Sequence, residues 1–316
     1  MEKEFDFYDK TNLKSYNLNE SMRYQLNMLS QLDVFTLKHS ENVASLACKI
    51  CQKLKLKKSF IVYCTMCAYL HDIGKVFIPS KILQKSSKLT DEEYEIMKTH
   101  TTIGYKMCMD DSKLRPYANG PLYHHEGLDG SGYPNGVIKE DLPYEAQIIR
   151  VADEFDAIVS KRQYKTHIDV SDTLKIIASK TIPAYKTNMT NSKIPKYSQM
   201  NPQIVSALFD VVIDETYYEI SCVEGYIKYI KSQINRLEKL SEYINEYNNA
   251  TKLRDKKDYK ELINYNLHKG ENLENYQQIL AEYKEAFQVR KTHIDKLHNE
   301  IKKIINIKNL NINNWL

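Results

Sequence analysis

Residues 59–75 read SFIVYCTMCAYLHDIGK, and this stretch decides the fold. The run is almost continuously apolar until its last five residues, and a helix that is apolar all round is typical of a protein core. It ends at the polar pair His71 and Asp72, followed by Gly74, and a glycine favours the end of a helix. We therefore predict a buried helix over 59–72 that carries a histidine and a carboxylate at its C-terminal end.

Helical periodicity continues on both sides of this stretch. Apolar residues recur at three- and four-residue spacing over 19–32 and over 36–54, which is typical of amphipathic helices. Thr90 followed by three acidic residues predicts an N-cap, with Glu93 completing a capping box and the helix running through His100. Further helices are expected at 114–125, 143–158, 172–180 and 202–212. No period-two pattern persists, so the predicted architecture is all-α.

The C-terminal third has a different pattern. A polar run at 248–258 separates two helical stretches, and the second has apolar residues every seven positions, as in a coiled-coil seam. These seam residues are Leu273, Leu280, Phe287, Ile294 and Ile301. Such a seam needs a partner, so we expect either a homodimer or an intramolecular hairpin. The predicted organisation is a polar arm at 1–18, a helical-bundle domain at 19–214 and a helical hairpin or coiled-coil arm at 215–316.

Composition and charge limit the cellular setting. No apolar run approaches the roughly 20 residues that a membrane span needs. The N-terminus MEKEFDFYDK lacks the basic-then-apolar order of a signal peptide. We therefore expect a cytoplasmic protein without a membrane partner. The net charge of +4 is small for 316 residues and argues neither for nor against nucleic acid. The tyrosine-rich arm favours an amphipathic helix pair over a nucleic-acid surface.

Histidines and aspartates predict a metal centre. Asp153 lies within an apolar helical pattern, where an ionised carboxylate without a partner would be costly, so a cation is expected beside it. Two metal ions roughly 3.5–4 Å apart can bind phosphodiester oxygens and hold a hydroxide between them. One ion would be held by His39, His71, Asp72 and Asp153, and the other by His100, His124 and His125 with Asp72 shared. Mixed histidine and aspartate ligands favour iron or manganese, with zinc as an alternative, over magnesium.

Three stretches in this order resemble one enzyme family. They are HDIGK at 71–75, HHEGLDGSGYP at 124–134 and VADEFDAIVSKRQYK at 151–165. Together they resemble the HD-GYP branch of the HD phosphohydrolase superfamily, over roughly residues 20–212. The resemblance implies an HD-type helical bundle and a metal-dependent phosphodiesterase. Its substrate would be cyclic di-GMP, hydrolysed by a metal-bridging hydroxide to pGpG and then to GMP.

The resemblance also implies roles for residues beside the metals. Asp72 and Lys75 would be catalytic, with Lys75 contacting a phosphate oxygen of the substrate. The substrate-binding residues would be Gly132, Tyr133, Pro134, Arg162 and Lys165. Glu126, Asp129 and Asp156 would orient the histidines, the lysine or the loop. Some members carry a glutamate for a third metal four residues before the first histidine. Phe35 occupies that position here, so we predict two metals.

Other functions and sites stay open on the sequence alone. The substrate could be another cyclic dinucleotide, such as 3′,3′-cyclic GMP-AMP, or the chain could be a catalytically inactive cyclic di-GMP sensor that signals through its arm. Two CxxC pairs, Cys48/Cys51 and Cys64/Cys67, have a spacing that would suit a zinc ribbon. Both pairs lie in predicted helices, which favours core packing. The loop at 181–200 is expected to be a surface excursion, with a lid over the site as the alternative.

Overall fold

The computed structural model describes Tyr24, Asn27, Met28 and residues 34–162, 169–182 and 197–312, without the side chains of Val34 and 160–162. These ranges contain helices and one isolated bridge, between Asp129 and Ile138, but no strand. The all-α prediction is therefore confirmed. The predicted arm at 1–18 lies outside the described residues, as do most of the first predicted helix and most of the loop at 181–200.

The described residues form two compact units. One comprises the residues up to Val212 together with those from Lys303 onward, and the other is Ile213–Lys302. The helices before residue 200 are α1 (Val34–Lys53), α2 (Lys58–Leu70), α3 (Ser80–Leu83), α4 (Asp91–Lys98), α5 (His100–Asp110), α6 (Asn119–Tyr123), α7 (Tyr144–Arg162) and α8 (Val170–Ser179). Short 3-10 helices cover Ile73–Phe77 and Arg115–Tyr117. The remaining helices are α9 (Pro202–Asn249), α10 (Leu253–Asn266) and α11 (Tyr276–Asn311).

Helix α2 is central to the first unit, as its apolar sequence predicts. Its side chains at Ile61, Cys64, Cys67 and Leu70 are buried, and it packs against α1 and α7, which also pack against each other. The helix ends at Leu70 and not at the glycine, so the predicted stop is wrong. The chain continues as a 3-10 helix, which places the His-Asp pair in a tight turn between two helical segments.

Gly74 has a packing role instead of a capping role. A Cβ atom at this position would lie 2.0 Å from the carbonyl oxygen of His100 and 2.6 Å from the backbone nitrogen of Gly104. The missing side chain therefore allows the 3-10 helix Ile73–Phe77 to contact α5 backbone to backbone. This close approach brings the turn after α2 next to the first residue of α5.

Local chemistry explains where predicted helices divide. The capping box of Thr90 and Glu93 is present, but α4 ends at Lys98 and α5 begins at His100. The Thr99 hydroxyl donates to the carbonyl of Ile96 at 2.6 Å, and such side-chain bonds compete with the helical ladder. The predicted helix at 114–125 is likewise divided into a 3-10 helix and α6. Proline residues within both segments remove helix donors.

Helices α9, α10 and α11 form the core of the second unit. The prediction of a helix ending near residue 212 is wrong, because α9 continues to Asn249. Leu237, Leu240, Ile263 and Tyr276 are buried together, and the seam residue Leu280 and the nearby Tyr283 pack against them. Arg236 donates two hydrogen bonds to the Glu271 carboxylate, at 2.7 and 2.6 Å. The seam is thus packed within one chain along this stretch.

No helix in the described ranges is long and apolar enough to cross a membrane.

Candidate metal centre

Seven histidine and aspartate side chains converge in the first unit. They come from α1, from the turn after α2, from the start of α5, from the end of α6 and from α7. The residues are His39, His71, Asp72, His100, His124, His125 and Asp153. Four of them are almost completely buried, whereas the side chains of Asp153, His39 and His125 are 12%, 17% and 22% exposed. The sequence-predicted ligands are therefore brought together, although they span more than one hundred residues.

Three of the histidines share the same backbone anchor. Each directs its Nδ1 atom at a carbonyl three residues earlier: His71 at Ala68 (2.7 Å), His100 at Met97 (2.7 Å) and His124 at Pro121 (2.9 Å). A carbonyl can only accept, so Nδ1 carries the proton in each neutral ring. The lone pair of Nε2 is then available in the cluster, as a metal ligand requires.

The two oxygens of Asp72 face different histidines. Its Oδ2 atom lies 3.1 Å from His71 Nε2 and 3.7 Å from His39 Nε2. Its Oδ1 atom lies 3.5 Å from His100 Nε2 and 3.9 Å from His124 Nε2. Three overlapping groups have ligand atoms within 4.8 Å of one another, namely His100/His124/His125, His39/His71/Asp153 and His71/Asp72/His124.

The donor set fits divalent metal ions. His71 Nε2 and Asp72 Oδ1 are buried without a hydrogen-bond partner, and a buried polar atom that stays unsatisfied is costly. A cation between these acceptors would satisfy both. Imidazole and carboxylate together suit iron, manganese and zinc. This His-Asp cluster can therefore bind metal.

The pKa values of three histidines in the cluster are lowered, which keeps their rings neutral as metal ligands require, whereas the pKa of His39 is raised by its aspartate partners. Burial lowers the pKa of His100 to about 4 and that of His125 to about 3, and it also holds the pKa of His124 well below its usual value. Burial would lower the pKa of His39 as well, but hydrogen bonds to Asp153 and Asp156 raise it to about 10. In the absence of metal, His39 is therefore a cation paired with aspartates.

These shifts predict acid sensitivity of the metal-free chain. Unfolded histidines have a pKa near 6.5, so the unfolded state takes up protons at His100, His124 and His125 that the folded state does not. Their stability contribution is complete above about pH 6.5 and is lost as the pH falls towards about 4. His39 has the opposite sign, because its contribution is complete below about pH 6.5 and is lost as the pH rises towards about 10.

Between pH 6.5 and 5 the three lowered histidines dominate, since His39 is protonated in both states there. We expect the Tm of chelator-treated protein to fall as the pH is lowered from about 7 to about 5, by an amount equivalent to roughly 1.4 kcal/mol per pH unit for each histidine. Thermal unfolding followed by circular dichroism measures this. A Tm that is constant or higher in acid would contradict the protonation states given above.

The residues predicted to orient the centre make two kinds of contact. Asp156 Oδ2 accepts from His39 Nδ1 at 2.6 Å, and Asn42 Nδ2 donates to Asp156 Oδ1 at 3.0 Å. Glu126 acts on the loop, because its Oε1 atom accepts from the backbone nitrogens of Asn135 (2.7 Å) and Gly136 (3.1 Å). Asp129 also acts within the loop, where it accepts from the Ser131 backbone and hydroxyl.

The Gly-Tyr-Pro loop packs tightly against the histidines. A Cβ atom on Gly132 would lie 2.3 Å from Glu126 Cα and 2.4 Å from the His125 carbonyl oxygen, so no side chain fits there. The Tyr133 ring stacks on His125 with centroids 4.7 Å apart. Gly132 and Tyr133 line the pocket at the centre, and Pro134 follows them without lining it.

Of the residues predicted to bind phosphate, the structure describes the side chain of Lys75 but not those of Arg162 and Lys165. Lys75 lines the pocket, and its Nζ atom lies 2.5 Å from Asp72 Oδ2. The side chain of Arg162 and all of Lys165 lie outside the described residues, so their predicted roles stay predictions.

Sequence reasoning missed Arg150, which lines the pocket and donates to the His125 carbonyl at 2.9 Å. Its position one helical turn before Asp153 was the available signal.

The CxxC cysteines lie in the core and not in a ribbon. Cys48, Cys51, Cys64 and Cys67 are all buried in α1 and α2. A hydrogen bond with Cys51, followed by burial, raises the pKa of the Cys64 thiol, and burial raises that of Cys67. Raised pKa values oppose the thiolate form that zinc requires. The geometry therefore favours core packing.

Comparison with known proteins agrees with this site. A family model described as "HD domain" matches residues 23–184. A cyclic di-GMP phosphodiesterase of Thermotoga maritima is 42% identical over 157 residues, 49% of this chain and 43% of that protein. The response regulator RpfG of Xanthomonas campestris, a cyclic di-GMP phosphodiesterase, is 42% identical over 128 residues, 40% and 34% of the two chains. The 3′3′-cGAMP-specific phosphodiesterase 1 of Vibrio cholerae is 28% identical over 204 residues, 63% and 42%.

The chain spans less than half the length of these three relatives. The family model, by contrast, matches just over half of this chain, and the matched residues include every histidine and aspartate of the cluster. The chain therefore belongs to the HD domain family, in its HD-GYP branch.

Proposed function

We propose that this chain is a metal-dependent phosphodiesterase that hydrolyses cyclic di-GMP to pGpG, and pGpG to GMP in a second reaction. The observation that carries the proposal is the convergence of seven potential ligands in one cluster, three of which line a pocket together with Lys75, Gly132 and Tyr133. The cyclic di-GMP phosphodiesterases among the relatives support this substrate. The catalytic domain would be residues 19–214.

The proposed cofactor is a pair of divalent metal ions, with iron or manganese preferred and zinc as an alternative. One would be held by His39, His71, Asp72 and Asp153, and the other by His100, His124, His125 and Asp72. Phe35, an exposed phenylalanine before His39, offers no ligand for a third. When bound, the metals would activate water at neutral pH and neutralise phosphate charge.

The chain's own residues would position the substrate. The Lys75 ammonium lies in the pocket beside Asp72, where it would donate to a phosphate oxygen as negative charge develops. Gly132 and Tyr133 would shape the adjoining wall, and Pro134, predicted to bind substrate with them, follows in the same loop. Arg162 and Lys165 would bind the second phosphate, a role that suits two cations because a cyclic dinucleotide carries two anionic groups.

Replacement of Lys75 tests the positioning of phosphate charge. We expect Lys75→Met to lower kcat by about 100- to 1,000-fold, the usual loss for one group that stabilises developing charge, while metal content stays unchanged. Steady-state kinetics and metal analysis of the same preparation measure both quantities. Lys81→Met, at an exposed position of helix α3, is the matched control and should retain full activity. A Lys75→Met enzyme with normal kcat would contradict the assigned role.

Nucleotide chromatography tests the function itself. The full chain, loaded with manganese or ferrous iron, is incubated with cyclic di-GMP and the products are separated by anion exchange. We expect pGpG to appear first and GMP later. Absence of hydrolysis of every cyclic dinucleotide, with metals confirmed bound, would reject the proposal.

A second substrate has specific support. Several relatives in Vibrio cholerae are named as 3′3′-cGAMP-specific phosphodiesterases, so cyclic GMP-AMP is the alternative substrate. A sensor without catalysis is the alternative from another class. Tight binding of cyclic di-GMP without turnover would favour it.

The packing of the C-terminal arm predicts the mass of the protein in solution. Because the seam residue Leu280 and the nearby Tyr283 pack against α9 and α10 of their own chain, we expect light scattering to give the 37.1 kDa of one chain. Twice that mass would instead favour the homodimer. Truncation at Ser221 is unsuitable for this test, because residues from Lys303 onward belong to the first unit.

A further inference from the structure

The pocket has walls that the metal-binding cluster does not use. Its volume is about 480 Å³, within the range of about 300–1,000 Å³ for small-molecule sites. Besides cluster residues, its lining includes Tyr94, Met97, Ser131, Glu154 and Gln199. These residues supply an aromatic surface and a polar edge, the two components that recognise a nucleobase.

The aromatic surface is formed by Tyr94 and Tyr133. Their rings meet edge to face with centroids 6.4 Å apart, and Lys98 Nζ lies 5.5 and 5.7 Å from the two centroids. Tyr94 is 47% exposed and lines the pocket, so its face is available to a ligand. Every base has a π-face, so this surface would hold a purine without distinguishing guanine from adenine.

Glu154 is the pocket carboxylate that the proposed metal centre leaves unused. It follows Asp153 in α7, and its side chain is 17% exposed. Lys180 forms an ion pair with its Oε1 atom, and Arg150 Nη2 lies 3.5 Å from Oε2. These two cations offset the charge that would otherwise repel an anionic nucleotide. A carboxylate has about four acceptor positions, so acceptor capacity is left for a ligand.

The chemistry of the base edges decides what such a carboxylate selects. Guanine presents two donors side by side, N1–H and the N2 amino group, whereas adenine presents the acceptor N1 beside its N6 amino group. A carboxylate accepts only, and therefore complements guanine. The Gln199 amide, whose Nε2 donates to Ser131 Oγ at 3.3 Å, has both a donor and an acceptor and can pair with either base.

We propose that Glu154 is the specificity-determining residue that selects a guanine base in this pocket, while Tyr94 stacks on the base and Tyr133, whose ring is nearly perpendicular to that of Tyr94, contacts it at a right angle. This inference rests on the proposed function, because it concerns the substrate of the same site. It leaves Gln199 as a contact that does not discriminate between purines.

The test compares three substrates with the metal-loaded full chain. The wild type should hydrolyse cyclic di-GMP and 3′,3′-cyclic GMP-AMP with kcat/KM about 10- to 100-fold above that for cyclic di-AMP, the usual value of a bidentate base contact. Glu154→Gln should lose most of this preference, mainly through a higher KM for the two guanine-containing substrates. Glu242→Gln, an exposed change in the second unit, should leave the ranking unchanged.

A second variant separates base selection from charge positioning. Lys180→Met keeps the carboxylate but removes its cation, so all three substrates should lose kcat/KM by similar factors and the guanine preference should persist. Equal losses for the three substrates in Glu154→Gln would overturn the proposal. So would a loss of guanine preference in Lys180→Met, because Glu154 would then act through its partner.

Failure of the proposed function gives a different result. If the wild type hydrolyses none of the three nucleotides, that function fails, and the ranking is measured by calorimetric binding to the metal-loaded protein. A guanine preference in binding that disappears in Glu154→Gln would still support the inference. Equal binding of the three nucleotides to the wild type would overturn it.

Discussion

Asp72→Asn is expected to lower phosphodiesterase activity by about 1,000-fold or more, the upper end of the loss for a single electrostatic group. The Asp72 oxygens lie within 3.9 Å of four histidines, two from each of the proposed metal sets. An amide of the same shape could not supply the charge that the two proposed cations would share. The metal content of the variant, measured by mass spectrometry, should fall together with its kcat.

Asp110→Asn is the matched control. Asp110 is an exposed residue at the end of α5, so its variant should keep both metals and activity. Circular dichroism should show that both variants retain the helical fold. If Asp72→Asn kept its metals and lost no more than about 10- to 100-fold in kcat, the range typical of a residue beyond the direct ligands, Asp72 would not be a shared ligand.

Gly74→Ala is expected to destabilise the first unit by about 3 kcal/mol or more, because overpacking costs most where nothing can move aside. The added methyl group would lie 2.0 Å from the His100 carbonyl oxygen and 2.6 Å from the Gly104 nitrogen, both of which are backbone atoms. Relief requires separation of the 3-10 helix from α5. Thermal unfolding should show Tm lower by roughly 6 °C or more, together with weaker metal binding.

Gly225→Ala provides a control with the opposite sign. Gly225 lies within α9, and a Cβ atom there would have no neighbour within 4 Å. Alanine in a helix interior is more favourable than glycine by about 0.5–1 kcal/mol, so Tm should be unchanged or slightly higher. A Gly74→Ala protein as stable as Gly225→Ala would contradict the close backbone contact described here.

The sequence predicted most reliably the features that depend on residues close together in the chain. The buried helix is confirmed in α2, because so long an apolar run is favourable only in the core, although the helix ends at Leu70 and the His-Asp pair lies in the turn that follows. The capping box at Thr90 was equally local and is present. The stretches HDIGK, HHEGLDGSGYP and VADEFDA contain five of the seven residues that converge, whereas His39 and His100 lie outside them. The convergence of all seven depends on tertiary packing, which periodicity alone does not encode.

Contacts between distant segments were not predictable from local pattern. Gln199 reaches Ser131 across 68 residues of sequence, and the ion pair of Glu154 with Lys180 joins two different helices. Gly74 was interpreted as a helix stop, whereas its role depends on the His100 carbonyl. The predicted domain boundary near residue 214 does not coincide with a helix end. Helix α9 continues through it because no helix-breaking residue intervenes.

A metal titration of the full chain tests the central claim most directly. Chelator-treated protein receives increasing manganese while bound metal and pGpG formation from cyclic di-GMP are measured in the same samples. We predict no hydrolysis in the metal-free protein and activity that rises with occupancy to a plateau at two ions per chain. Full hydrolysis without metal, or two bound ions without hydrolysis of any cyclic dinucleotide, would contradict the account.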